Sequence, residues 1–97
     1  MLEYLKDYVS EEDFDIIKTK LDKNMILNFS VMQTTVSDVL TSLKNKGITN
    51  IKNIILSRPD LCFKTINYLE EEFNKLDSEL LKYIINNHLD ELNSFNI

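Results

Sequence analysis

The chain holds one histidine and one cysteine, His88 and Cys62, the side-chain types that most often serve as general base and nucleophile. A catalytic imidazole needs an orienting carboxylate, and on a helix the nearby Asp90 and Glu91 would point away from His88. Cys62 lies on an apolar stripe, which is typical of a buried structural thiol. We therefore expect no catalytic residue and no enzymatic activity.

Two acidic clusters, at 11–15 and 70–72, carry the carboxylates that hard cations prefer. A calcium loop also needs a central glycine, and the chain has a single Gly that lies outside both clusters. That composition excludes a Gly-rich phosphate loop as well, and a lone cysteine cannot build a thiolate metal cluster. We predict neither metal nor cofactor, and we interpret both clusters as solvated helix faces.

Residues 31–60 form the only net-basic third of a chain whose net charge is −5, with four basic residues against two acidic ones. The four are Lys44, Lys46, Lys52 and Arg58. Helices at 35–46 and 50–57 would give segment 35–58 the form of a helix-turn-helix whose cations contact phosphates. Alternatively, these cations cap helix ends and balance neighbouring acids, and the acidic flanks oppose nucleic acid.

Four aromatic residues are candidates for a protein interface: Tyr4, Tyr8, Tyr68 and Phe95. Aromatic side chains are enriched in such interfaces, and the first two are spaced to share one side of a helix. Core packing is the alternative for these side chains. We expect contact with a protein partner or a second copy of the chain to be the main function, and nucleic-acid binding to be the alternative.

Helical periodicity and capping residues locate the helices of the first half. Apolar residues predict a short helix over 2–9 and a second from Ser10 to about Leu21. Residues 24–33 fit a short helix or turn, or else a strand. Capping or turn chemistry marks three later boundaries, at Thr34 or Thr35, at Gly47 and at Thr49. The helix ending at Gly47 has an apolar stripe of Val36, Val39, Leu40 and Leu43.

The second half predicts two longer helices. Pro59 stops a short helix and begins the next. That next helix is predicted to carry the stripe Cys62, Ile66, Leu69, Phe73 and Leu76. Asp77 caps the last substantial helix, whose expected apolar face is Leu80, Leu81, Ile84 and Ile85. Residues 88–94 are expected to add a final turn.

Composition bounds the fold class. The 97 residues suit one domain spanning 1–97, and one Gly with one Pro leaves too few turn residues for a β-rich fold. We predict an all-α protein, a compact bundle or short α-solenoid of about six or seven short helices. The lone cysteine and the charged N-terminal residues predict a cytoplasmic protein without signal peptide or membrane association.

Residues 39–92 combine a Leu-rich helix, a Gly-Ile corner, a short helix and a Pro-led helix. The residues that form this pattern are Val39-Leu40, Leu43, Gly47-Ile48, Ile51, Ile54-Ile55 and Arg58-Pro59-Asp60-Leu61. The stretch resembles the helical repeats of the mitochondrial transcription termination factor family. The resemblance implies an α-solenoid whose concave face binds duplex nucleic acid.

Overall fold

The computed structural model describes residues 1–95 and residue 97. Six α-helices and three 3₁₀ helices form the secondary structure of these residues, and no strand occurs among them. The α-helices are α1 (Glu11–Lys20), α2 (Lys23–Val31), α3 (Gln33–Asn45), α4 (Ile51–Ser57), α5 (Ile66–Phe73) and α6 (Ser78–Asn87). The first, second and third 3₁₀ helices are Glu3–Asp7, Pro59–Phe63 and Leu89–Phe95. The predicted all-α class is confirmed, and residues 24–33 lie in α2 and at the start of α3, with Met32 as a turn between them.

The contacts between helices form two series, and in each series one element packs on the next. The first 3₁₀ helix packs on α3, and α3 packs on α5. In the second series α1 packs on α4, and α4 meets α6 through Asn50, whose Nδ2 donates to the carbonyl of Ile85 at 3.1 Å. The second 3₁₀ helix lies against both α3 and α4, and the third lies against α6. The chain therefore alternates between the two series as it proceeds.

A single cluster of apolar side chains joins these helices. The predicted stripe of α3 is wholly buried, as are Phe14 and Ile17 of α1 and Phe29 of α2. Within the described residues no polar or charged residue is buried. Burial of apolar area is the dominant favourable term in folding, so this cluster holds the short helices together.

Two of the predicted helix caps are confirmed. Ser10 Oγ accepts a hydrogen bond from the Asp13 N–H at 3.1 Å, and Asp77 Oδ1 accepts from the N–H groups of Glu79 and Leu80, each at 3.0 Å. Both bonds satisfy N–H groups that have no partner inside the helix. α1 and α6 therefore begin where the sequence places them.

Two other predicted caps are wrong. α3 begins at Gln33, before Thr34 and Thr35, because the carbonyl of Met32 already accepts the Val36 N–H at 3.0 Å. Met32 both ends α2 and precedes α3, so no loop separates these two helices.

Thr49 does not cap α4 either. Asn50 occupies the N-cap position without a side-chain capping bond, while the Thr49 N–H donates to Asn86 Oδ1 at 2.9 Å. Thr49 is thus tied to α6 instead of to its own helix.

The single helix predicted to follow Pro59 and to include Leu76 is also wrong. The backbone leaves the helical region at Lys64 and Thr65, where ψ is 154° and 147°. Thr65 then caps α5, its Oγ1 accepting from the Tyr68 N–H at 3.3 Å. The apolar stripe runs across this break because the second 3₁₀ helix and α5 both pack against α3.

Gly47 ends α3 as predicted. Its φ is +84°, the Ile48 N–H donates to the Leu43 carbonyl at 3.1 Å, and the Gly47 N–H donates to the Lys44 carbonyl at 3.0 Å. These two bonds define a Schellman motif, and Leu43 and Ile48 are both buried as its apolar contact requires. The corner that turns the chain from α3 toward α4 therefore depends on a left-handed residue.

Gly47→Ala is expected to lower the free energy of unfolding by about 1–2 kcal/mol, because L-residues disfavour this φ. Gly47→Asn should cost less, since Asn tolerates the left-handed region. Urea denaturation of the two variants measures the difference. A Cβ at Gly47 would lie 2.9 Å from Cε of Lys82, the flexible end of that side chain. If a Gly47→Ala/Lys82→Ala variant regains all of the lost stability, the loss comes from the contact with Lys82 and not from the backbone conformation.

Candidate interaction surfaces

The two groups that could do covalent or acid–base chemistry occupy different environments. Cys62 is fully buried, and this burial, with a smaller contribution from the negative charge of Asp60, raises the pKa of its thiol to about 12. The thiol is therefore protonated at neutral pH. His88 is exposed just beyond α6, its ring centroid 5.4 Å from that of Tyr83.

No three His, Cys, Asp or Glu side chains of the described residues are grouped so that they could hold a metal ion. The expectation that the chain is not an enzyme stays a prediction.

The predicted phosphate-binding cations each contact a different part of the chain. Lys44 Nζ lies 3.4 Å from the Asp7 carbonyl and 5.9 Å from the ring centroid of Tyr8. Lys46 Nζ forms an ion pair with Glu70 Oε2 at 3.1 Å. Hydrogen bonds from Ser42 and then Lys46 hold the pKa of Glu70 below its ordinary value. These two lysines therefore connect α3 to the first 3₁₀ helix and to α5.

The other two cations are also held within the chain. Lys52 Nζ lies 3.9 Å from Asp13 Oδ1, joining α4 to α1. Arg58 Nε and Nη2 donate to the two carboxylate oxygens of Asp60 at 3.0 and 2.9 Å. Its Nη1 donates to Asn93 Oδ1 at 2.6 Å and its Nη2 to the Ile97 carbonyl at 2.7 Å. Nucleic-acid binding by segment 35–58 stays a prediction, and these contacts give its cations a structural role.

The four predicted interface aromatics divide in the structure. The Tyr4 hydroxyl donates to the Phe29 carbonyl at 2.6 Å, and the Tyr8 hydroxyl lies 2.9 Å from Thr41 Oγ1. Phe95 is partly buried against the core. Tyr68 is exposed, with Lys64 Nζ 5.1 Å from its ring centroid. Of these four, Tyr68 offers a partner the largest free aromatic surface.

Two further apolar pairs, which the sequence reasoning missed, lie on outer helix faces. On α2, Leu27 and Val31 are 57% and 73% exposed and one helical turn apart. On α6, Leu80 and Tyr83 are 48% and 56% exposed and also share one face. We call these pairs the α2 patch and the α6 patch. The expectation that Leu80 faces the core is wrong, because Leu81, Ile84 and Ile85 already fill that side.

A polar groove separates α4 from α6 and the third 3₁₀ helix. Its volume is about 430 Å³, and asparagines dominate its lining: Asn50, Asn53, Asn86, Asn87 and Asn93. Most of these amides are bonded to the chain itself, Asn86 Oδ1 to the Thr49 N–H and Asn87 Nδ2 to the Tyr83 carbonyl among them. The asparagines of the groove therefore mainly form hydrogen bonds within the chain and offer few free hydrogen-bonding groups.

In the described part of the chain, no helix has the length and apolar character needed to cross a bilayer. These features define an all-α protein with two exposed apolar patches and a buried thiol. No protein-family model matches the chain, and neither the curated proteins nor the solved structures searched contain a match.

Proposed function

We propose that this chain is a non-catalytic, cytoplasmic helical module that acts through contact with another protein. The observation that carries the proposal is the presence of paired large apolar side chains on outer helix faces, the α2 patch and the α6 patch. Single exposed apolar residues are ordinary, but pairs that share a helix face offer continuous area that a partner can bury.

Charge supports a protein partner over a polyanionic one. The chain carries 16 acidic against 11 basic residues, so its overall field repels phosphates. Lys46, Lys52 and Arg58 already form ion pairs with acids of the chain. Nucleic acid would have to compete with each of these pairs.

Photo-crosslinking tests the proposal. p-Benzoylphenylalanine placed singly at Leu27, Tyr68 or Tyr83 should give discrete crosslinked species in a lysate of the source cells, because the partner buries one of these side chains. The same group at Asn67, an exposed polar residue of α5, is the matched control. Absence of crosslinks at every apolar position, together with a monomer at all concentrations by light scattering, would refute the proposal.

Nucleic-acid binding, the alternative that the family resemblance implies, has a separate test. Retention of the chain on heparin should then fall steeply with salt, and fall further in Lys44→Ala/Lys52→Ala. A chain that is not retained at low salt does not bind nucleic acid through this segment.

A further inference from the structure

The helical arrangement of residues 35–60 recurs thirty residues later. Identical residues occupy corresponding positions of the two stretches in five pairs: Thr35 and Thr65, Lys52 and Lys82, Ile54 and Ile84, Ile55 and Ile85, and Asp60 and Asp90. The structure repeats the order as well, since α3, α4 and a 3₁₀ helix are followed by α5, α6 and another 3₁₀ helix. We call these two stretches the first and second units.

Burial follows the same correspondence. Buried residues of the first unit match buried residues of the second in several pairs: Val39 with Leu69, Leu43 with Phe73, Ile51 with Leu81, and the two Ile pairs. α4 and α6 therefore present equivalent faces to the core, and their remaining faces are equivalent too.

The structure shows which elements lie opposite the outer face of α4. Asn50, Asn53 and Ser57 form its stripe along the polar groove, whose opposite wall is α6 with the third 3₁₀ helix. Asn50 also bonds directly to the backbone of α6. The C-terminal part of α6 and the third 3₁₀ helix, both of the next unit, thus lie opposite this face of the first unit across the groove.

The equivalent positions on α6 are Leu80, Tyr83 and Asn87, and Asn87 already lines the polar groove beside α4. Within the described part of the chain Leu80 and Tyr83 remain about half exposed. The polar Asn50 and Asn53 of the first unit are replaced here by large apolar residues. The second unit therefore presents an exposed face that is more apolar than the corresponding face of α4.

Acidic residues flank this α6 patch. Asp77 and Glu79 lie at the start of α6, and Asp90 and Glu91 lie in the third 3₁₀ helix, all four exposed. None of the four forms a salt bridge within the described residues. Lys82, the nearest cation along α6, extends over Gly47 instead. Residues 77–91 carry these four acids against Lys82 alone, so an occupant of the patch would meet a segment with net negative charge.

We propose that the α6 patch binds an amphipathic α-helix of a partner protein whose apolar stripe is flanked by basic residues. This rests on the proposed function and specifies its partner. A second copy of the chain fits less well, because residues 1–30 carry seven acids against four lysines and residues 61–97 carry seven against three. Either end of a second copy would place like charges together, and three of the four cations of residues 31–60 are already paired within the chain.

The test uses a synthetic helical peptide with leucines at i, i+3, i+4 and i+7 and lysines elsewhere, titrated into the ¹⁵N-labelled chain. Chemical-shift changes should concentrate on residues 78–91. Leu80→Asn/Tyr83→Asn, which copies the first unit at these positions, should weaken binding by about tenfold or more. The matched control, Leu27→Asn/Val31→Asn, removes the α2 patch and should leave the affinity unchanged.

Three results would overturn the proposal. The first is shift changes centred on the α2 patch, or no binding at all. The second is equal binding of a peptide with glutamate in place of each lysine, because the acidic flank would then have no role. The third is self-association that Leu80→Asn/Tyr83→Asn abolishes, since a second copy would then be the occupant. In each of these three cases, crosslinks formed from Leu27 or Tyr68 would still support the proposed function.

Discussion

Phe29→Ala is expected to remove about 3–5 kcal/mol from the free energy of unfolding, the usual cost of deleting a buried aromatic ring. Phe29 is fully buried, and its ring centroid lies 4.8 Å from that of Phe63 in a tilted arrangement. Its backbone carbonyl also accepts the Tyr4 hydroxyl. The truncation leaves a cavity where α2, the second 3₁₀ helix and the first 3₁₀ helix meet.

This loss is large relative to the total stability of the chain. Native domains have free energies of unfolding of roughly 5–15 kcal/mol, so the melting temperature of the variant should fall far and unfolded chains should be populated at physiological temperature. Urea denaturation followed by circular dichroism measures the loss.

Leu27→Ala is the matched control on the same helix, because Leu27 is exposed, and it should change stability by no more than about 0.5 kcal/mol. Equal losses in the two variants would show that α2 does not pack through Phe29.

Local chemistry predicted three helix boundaries correctly and failed at Thr34 or Thr35 and at Thr49. Gly47 ends α3 because the chain needs a left-handed residue there, and Ser10 and Asp77 cap helices because each offers an oxygen to a free N–H. Prediction failed where packing decides. Thr65 begins a new helix although the apolar period continues through it, because the second 3₁₀ helix and α5 share one core.

Helical periodicity could not predict the exposed patches, for a related reason. Leu80 and Leu81 are adjacent leucines, and helical spacing alone admits either at the edge of the buried stripe. Only the tertiary contacts of α6 decide that Leu81 is buried and Leu80 exposed. A polar Asn50 at the corresponding position of the first unit was the available signal, but it required recognising the thirty-residue correspondence.

The contacts of Arg58 could not be predicted from the sequence, and its predicted role in binding phosphate stays a prediction. Its side chain is only 16% exposed, and it donates to Asp60, Asn93 and the Ile97 carbonyl. The hydrogen bond from Arg58 holds the pKa of Asp60 below its ordinary value, and Asp60 in turn raises the pKa of Arg58. A cation that looks free along the sequence therefore ties together the second and third 3₁₀ helices.

Arg58→Met is expected to lower the free energy of unfolding by about 2 kcal/mol, because it removes several charge-assisted hydrogen bonds from a largely covered side chain. The exposure of Asp60 keeps the loss from being larger. Lys52→Met is the matched control: its ion pair with Asp13 is long and part-exposed, so its loss should be within about 0.5 kcal/mol. Arg58→Lys should recover little, since an ammonium cannot form the two-pronged contact with Asp60.

The pH dependence of stability tests whether Arg58 stabilises the fold through Asp60. Asp60 has a lower pKa in the folded chain than in the unfolded chain, so its pairing with Arg58 stabilises fully above the unfolded pKa, about 3.9. The stabilisation is lost as pH falls through the folded pKa. The stability difference between the wild type and Arg58→Met should therefore be constant near neutrality and shrink below about pH 4. A variant equally stable at neutral pH, but no longer retained on heparin, would instead make Arg58 a phosphate contact.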